Sequence, residues 1–402
     1  MNPKVIFIVA NLILIMSCMT EKKNSKGTYG FDLTFLGKYH KNLIELKDST
    51  GKSAIIICPD YQARVMTSTS QGESGFSFGW VNYKLIESGK KQEHIHAFGG
   101  EERFWLGPEG GQFSFYFKKG EAFEFKNWEV PKEIDTETFE IVSVSASKAS
   151  LKKEMHLTNY SGNVFDILVE RSINLLDKNE IQKKLGIYLS DKVDYVAYQT
   201  ENKLTNKGTS AWDTITGMPS IWLLCMFTPS ESTVVVAPYN NDKTLKSNVV
   251  NDMYFGKVGN DRLQVKDKVI LFKADGKKRS KIGLNYERAT DIIGSYDYAS
   301  GNLTILQYNK PATAQKYVNS MWEIQKEPFV GDVVNSYNDG AVDGGEGAGS
   351  FYELESSSPA ANLQPNQSLI HYQRIYHFQG KQDEIGLITN KLFGINISDI
   401  KM

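Results

Sequence analysis

His94-Ile95-His96-Ala97-Phe98-Gly99-Gly100-Glu101-Glu102-Arg103-Phe104-Trp105-Leu106-Gly107-Pro108-Glu109-Gly110-Gly111-Gln112 gathers two imidazoles, three carboxylates, a guanidinium, an indole and five glycines into nineteen residues. A core-forming segment is not composed this way. The glycine pairs at 99/100 and 110/111 allow sharp turns or close approach of backbone to a ligand, and Pro108 stiffens the turn between them. Charged groups, a planar aromatic and free amides together suit a polyol, which offers hydroxyls at its edge and a C–H face for stacking. His94, Glu102, Arg103, Trp105 and Glu109 are therefore candidate ligand-binding residues. The competing reading is a Gly-rich hairpin loop that carries surface charge.

Outward from this stretch the pattern is one of short strands. Phe31 to Leu36 and Ser53 to Cys58 alternate or run apolar between turn signals such as Asp48-Ser49-Thr50-Gly51, and Gln112 to Lys126 alternates aromatic and polar residues about a Lys118-Lys119-Gly120 turn. Phe139 to Ser147, Leu151 to Leu157 and Phe165 to Leu175 continue it. Helical periodicity is nearly absent, with Asn319 to Lys326 the best place for a short helix. Many strands separated by Gly, Asn and Asp turns predict an all-β architecture of large antiparallel sheets. No repeat and no linker divides the chain, so residues 28–402 are expected to form one domain.

Composition narrows the function. A formal net charge of −1 lacks the basic excess of a nucleic-acid binder, and 12% aromatic residues suit both strands and sugar-stacking surfaces. Cys58 and Cys225 sit in apolar strands and read as small buried side chains. Cys18 differs. Residues 1–17 carry Lys4, an apolar run too short to span a bilayer and then Ile15-Met16-Ser17 before Cys18, an arrangement resembling a bacterial lipoprotein signal with Cys18 as the lipidated residue. Residues 18–27 would be a polar tether. The expectation is an envelope protein, lipid-anchored, facing the periplasm or the outer membrane surface, with no other membrane contact and monomeric.

A second cluster lies late in the chain. Asn335 and Asp339 lead into a Gly-rich acidic loop and the strand Tyr352-Glu353-Leu354-Glu355, on which alternation puts Glu353 and Glu355 on one face. Two such carboxylates repel unless a cation or a proton sits between them. Arg374 follows on the last strand with His371 and His377. Arg64, Trp80 and Asn82 could line the same cleft, or be a surface charge, a core indole and a turn residue. Asp339, Asp343 and Glu346 offer oxygen ligands of the kind calcium takes, but not at EF-hand spacing, and His94 with His96 lacks further zinc ligands. No cofactor is expected, and calcium is the one alternative.

These features resemble the galactose mutarotase-like superfamily, the β-supersandwich of the aldose 1-epimerases. His96-Ala97-Phe98-Gly99-Gly100 is similar to the sugar-binding His-Gly-Gly loop of those enzymes, with two residues intervening. Leu354-Glu355, followed by Pro359 and Asn362, is similar to the late strand that carries their general base. Phe98 to Gly111 with Tyr352 to Pro359 resembles more closely uncharacterised Bacteroidetes envelope lipoproteins of that superfamily. The resemblance implies a mono- or oligosaccharide ligand, with Glu355 as base and His96 as acid or hydroxyl donor. It departs from the pattern in one respect: the mid-chain acid histidine is missing, since Thr200 to Trp212 holds none, which leaves His94, His96 or His371 for that role. Mutarotation requires one group to take the anomeric hydroxyl proton and another to protonate the ring oxygen. Three readings compete with it: a glycoside hydrolase using a carboxylate pair such as Glu102 and Glu355, a binding module without chemistry in which Trp80, Trp105 and Trp212 stack on sugars, and a structural β-domain in which Glu355 only pairs with Arg374 or Arg103.

Overall fold

Along Val164–Leu175 every second side chain from Phe165 onward is buried, as in a strand with one face on a core. Ser220–Phe227 is buried throughout, so it is covered on both faces. These two patterns belong to two sheets laid against each other in a computed structural model that describes residues 25–341 and 349–402. The signal (1–17), Cys18, most of the tether, Asp343 and Glu346 lie outside the described residues.

In chain order, β1 (Ile44–Lys47), β2 (Ala54–Cys58) and β3 (Arg64–Thr69) form a small sheet. There follow β4 (Arg103–Gly107), β5 (Glu140–Val144), β6 (Lys148–Thr158), β7 (Val164–Leu175), β8 (Asp194–Asn206), β9 (Ser220–Phe227), β10 (Thr233–Pro238), β11 (Leu263–Val265) and β12 (Val269–Lys273). The chain ends with β13 (Ser280–Asn285), β14 (Ile292–Asp297), β15 (Asn302–Tyr308), β16 (Asp332–Asn338), β17 (Tyr352–Ser357) and β18 (Ser368–Gln379). A ten-stranded sheet runs β11-β12-β10-β14-β15-β18-β8-β7-β6-β5, and a five-stranded sheet runs β13-β16-β17-β9-β4. The paired strands within them are antiparallel, as the sequence predicts. Phe104, Leu223, Cys225 and Leu354 join Ile167, Val169, Tyr198 and Ile375 in one core; truncating Leu354 to Ala is expected to cost about 3 kcal/mol.

Among the described residues four α-helices depart from the all-strand reading: α1 (Tyr29–Tyr39), α2 (Tyr83–Ser88), α3 (Lys178–Leu185) and α4 (Gln382–Phe393). Phe31 to Leu36, read as a strand, lies in α1. The Thr28 side chain caps its first turn by accepting from the Phe31 N–H, and the buried residues Tyr29, Asp32 and Leu36 fall at helical spacing. Apolar faces of α3 and α4 cover the back of the ten-stranded sheet through Ile181, Ile385, Ile388 and Phe393. No helix among the described residues is long and apolar enough to cross a membrane.

Two other expectations are corrected. Gln112 to Lys126 is not a pair of strands but a run of turns ending in a 3₁₀ turn at Phe125–Asn127. Phe113 through Phe117 are nearly all buried, so the alternation has no solvent side, and the backbone is held by side chains: Ser114 Oγ accepts from Tyr116 N at 3.0 Å, and Tyr116 Oη donates to Leu106 O at 2.8 Å. Asn319 to Lys326 is not helical. It is pinned as a loop by Asn319 Oδ1, which accepts from Met321 N at 3.0 Å, and by Gln112 Oε1, which accepts from Gln325 N at 3.0 Å. Gly110 is required here, because a Cβ would stand 2.4 Å from Met321 O.

Candidate functional site

Strand alternation sorts the five-stranded sheet into two faces. Ser356 points to the ten-stranded sheet, its Oγ 2.8 Å from His371 Nε2 and 2.6 Å from Gln373 Oε1. Arg103, Trp105, Trp222, Glu353, Glu355 and Lys281 therefore share the opposite face. Pairing aligns Arg103, Leu224, Glu355, Asn335 and Gly283 in one row across all five strands.

Over that face lies a cavity of about 500 Å³, within the roughly 300–1,000 Å³ of small-molecule sites. Strand residues Gly107, Ser220, Trp222, Lys281, Asn335 and Ser357 meet loop residues Glu109, Tyr254, Phe255, Met321 and Trp322 around it. A segment of the first third of the chain and strands of its last fifth thus border one hollow.

Glu355 is completely buried behind this lining. Its Oε2 lies 2.9 Å from Lys281 Nζ and accepts the Trp222 indole N–H at 2.9 Å. Its Oε1 has no partner among the described residues, and neither do Ser220 Oγ and Arg279 Nε, both on residues that line the cavity. Unpaired buried polar atoms are costly, and two of these three belong to residues that border the hollow while the third, on Glu355, lies behind them. Burial works against the Lys281 ammonium, but Glu355 and Glu109 outweigh it and hold its pKa above the usual lysine value. Burial pushes the Glu109 carboxyl up to about 7, with Lys281 opposing and Glu355 adding to the rise. Asp332 is also raised by burial, against hydrogen bonds from Tyr254 Oη at 2.5 Å and Asn251 Nδ2 at 3.0 Å.

Beside this row Glu353 pairs with Arg103, whose guanidinium lies 4.7 Å above the Trp105 ring. Burial raises Glu353 and Arg103 opposes it. Each carboxylate of the late strand is thus paired with its own cation, Glu353 with Arg103 and Glu355 with Lys281. Asn335 Nδ2 donates to Tyr254 Oη at 3.0 Å.

The remaining candidates are not brought to the cavity. Glu102 faces the other way, in a buried ion pair with Arg171 at 2.9 Å and accepting from Gln373 Nε2 at 2.7 Å, so it shares no partner with Glu355. His96 has both ring nitrogens engaged, Nδ1 2.7 Å from Asp135 Oδ2 and Nε2 accepting from Gln92 N at 2.9 Å. His94 Nδ1 lies 2.8 Å from Trp128 O, and His371 is buried in the core with its pKa lowered by burial to about 3. Arg64 donates to Gly99 O and Gln62 Oε1; Asn82 caps α2 through Leu85 N at 3.1 Å. Trp80 packs on Phe351, Trp212 on Phe165 in the core. Arg374 reaches Gln199 and Gln307 on the ten-stranded sheet. Asp339 accepts from Tyr337 Oη and Gly349 N, and the other two acidic residues of the calcium reading lie outside the described residues. Gly99 and Gly100 make room for protein rather than ligand, since Cβ atoms there would stand 2.1 Å from Trp80 O and 2.3 Å from Arg64 Cδ.

Sequence reasoning missed Trp222, Lys281, Tyr254, Asp332 and Trp322. Trp222 is hidden in an apolar run that reads as core. Arg279 and Lys281 carry one legible signal, two cations at strand spacing after a tight turn.

A sequence model of a family of unknown function, DUF6786, matches residues 27–402. No curated protein matches the chain. Its structural neighbours are aldose 1-epimerase and galactose mutarotase-like proteins. It is similar to a putative aldose 1-epimerase from Escherichia coli K12, at 12% identity and a TM-score of 0.49, over 84% of this chain and 98% of that one. It is similar to a galactose mutarotase-like protein from Lactobacillus casei ATCC 334, at 9% identity and a TM-score of 0.44, over 84% of this chain and all of that one (100%). A galactose mutarotase related enzyme from Lactobacillus acidophilus gives 9% and 0.43, over 84% and 97%.

Proposed function

The chain belongs to DUF6786, a family of unknown function, and from that premise we propose that the hollow over the five-stranded sheet binds a mono- or oligosaccharide. The observation that carries this reading is the unpartnered oxygen of buried Glu355 beside a cavity of about 500 Å³ bordered by Trp222 and Trp322. Indole faces suit the C–H side of a pyranose, while Glu355, Ser220, Asn335 and Arg279 supply hydroxyl partners.

The finer reading is epimerase-type proton transfer at the anomeric centre. Glu355, paired with Lys281 and accepting from Trp222, takes the proton of the anomeric hydroxyl. Glu109, protonated near neutral pH, gives a proton to the ring oxygen as the ring C–O bond breaks; closure on the other face of the carbonyl returns both protons. Glu109 thereby replaces the histidine that the sequence could not supply. Glu109, whose carboxyl burial pushes up to about 7, is the acid of that pair, opposite the carboxylate that Lys281 and Trp222 hold.

The test is NMR of anomer interconversion over a panel of aldoses. Acceleration by the wild type that falls at least about 100-fold in Glu355→Gln supports the enzyme. Saturable binding by calorimetry without acceleration supports a binding module, and the absence of both acceleration and binding removes the sugar site. The apolar run ending at Cys18 supports placing this activity in the cell envelope on a lipid anchor.

A further inference from the structure

We propose that His40, Cys58 and Asp60 form a binding site for a zinc-type transition-metal cation, separate from the cavity. Their ligand atoms all lie within 4.8 Å of one another, and none of the three borders the cavity. Ligands at zinc distances around a tetrahedral ion stand about 3.3–3.8 Å apart, so closing the cluster onto a metal needs only small side-chain movements. The His40 Nδ1 to Asp60 Oδ2 separation, 3.1 Å, is already near that edge.

The fold holds the three residues from independent supports. His40 ends α1, its N–H donating to Leu36 O at 2.8 Å, and its ring meets Tyr61 edge-on at 4.4 Å. Cys58 is the last residue of β2 and is fully buried. Asp60 sits in the turn to β3, its other oxygen near Thr138 Oγ1 at 3.3 Å.

Two observations separate this cluster from a chance meeting of side chains. The Tyr61 N–H donates to the Cys58 carbonyl oxygen at 3.2 Å, so the turn that carries Asp60 is closed directly on Cys58. His40 is 8% exposed; its Nδ1 faces Asp60 Oδ2, and its Nε2 is buried without a hydrogen-bond partner among the described residues, so half of this polar ring is left unsatisfied by the protein. One thiolate, one imidazole and one carboxylate suit zinc or cobalt and not the hard cations calcium and magnesium. Asp60, 32% exposed, opens the site to solvent, which leaves a fourth position for water. Binding releases the thiol proton to solvent as the sulfur–metal bond forms.

The experiment is a Co²⁺ titration of the reduced, chelator-stripped full chain. A thiolate-to-cobalt charge-transfer band, with visible ligand-field bands saturating at one equivalent and displaced by Zn²⁺, is expected. Cys58→Ser abolishes the charge-transfer band although Cys18 and Cys225 remain. Asp60→Asn, at the open edge, weakens Co²⁺ binding about tenfold or more. No band in the folded wild type, or a band undiminished in Cys58→Ser, overturns the site. Should Cys58→Ser fail to fold, unchanged Co²⁺ affinity in Asp60→Asn overturns it instead.

Discussion

Lys281 Nζ stands 2.9 Å from Glu355 Oε2, a lysine of β13 meeting a glutamate two strands away on β17. Glu355 is fully buried while the Lys281 side chain, 12% exposed, borders the cavity, so the carboxylate has no water to fall back on. Lys281→Met would leave the carboxylate buried beside the Trp222 indole alone, at a cost of about 3 kcal/mol. Urea unfolding should show that loss, and the double variant with Glu355→Gln should recover most of it because the unpaired charge is gone. A Lys281→Met protein within about 0.5 kcal/mol of wild type would show that the pair contributes little.

Stability should depend on pH through Glu109. Its carboxyl rises from an ordinary 4.5 to about 7 in the folded chain, so the stability carried by the protonated form is complete below pH 4.5 and is lost as pH rises toward 7. His371 acts oppositely: burial lowers it from 6.5 to about 3, and the stability of its neutral ring is lost as pH falls below 6.5. The two slopes oppose each other between pH 4.5 and 6.5, so the wild-type curve alone is uninformative. The difference between Glu109→Gln and wild type isolates the carboxyl. Because Glu109 borders the cavity, where water screens it, that difference should move in favour of the variant by about 2 kcal/mol from pH 5 to 7.5. A difference flat with pH in urea titrations would refute the raised carboxyl.

How much of this was legible in the sequence follows from what each residue's pattern reports. Period-two alternation finds β6, β7 and β17, and it puts Glu353 and Glu355 on one face without any knowledge of partners. It fails for α1, where Phe31, Leu33 and Phe35 alternate by accident while Tyr29, Asp32 and Leu36 carry the buried stripe. The same failure affects Gln112 to Lys126, where Phe113 to Phe117 are buried on both sides of the alternation and the residues after them are mostly exposed. The Gly-rich segment 94–112 does reach the cavity, but through Glu109 and Gly107, while its histidines and Glu102 turn to other partners. Local sequence reports which residue types are close along the chain; it does not report that Lys281 faces Glu355, because that pairing is set by strand order in the sheet.

Glu102 and Arg171 test the separation of the two faces. Both side chains are 0% exposed, and Arg171 also donates to Asn202 Oδ1 at 2.8 Å. Arg171→Met should destabilise the protein by about 3–5 kcal/mol yet leave sugar affinity within about twofold of wild type, measured by calorimetry well below the unfolding transition. Lost binding in a variant that is still folded would place Glu102 at the ligand after all.

The proposed lipid anchor rests on Cys18. Cys18→Ser should block incorporation of labelled fatty acid and move the protein from the detergent phase to the aqueous phase on phase separation. Unchanged partitioning would refute the lipid anchor without touching the cavity.

Trp322 allows stacking and proton affinity to be separated at one position. Its ring packs on Trp128 at 5.9 Å and on Phe117 at 5.1 Å, and its side chain hydrogen-bonds Glu109, which lowers that carboxyl against the rise from burial. Trp322→Phe keeps an aromatic face and removes the indole N–H, so sugar affinity should hold within about twofold while the alkaline limb of the pH–rate profile, set by loss of the Glu109 proton, moves upward. Trp322→Ala removes both and should weaken binding about three- to tenfold, the range of one aromatic stacking contact. Should both variants bind as wild type does, the 318–323 loop does not contact the sugar, and the ligand sits on the strand side of the hollow against Trp222.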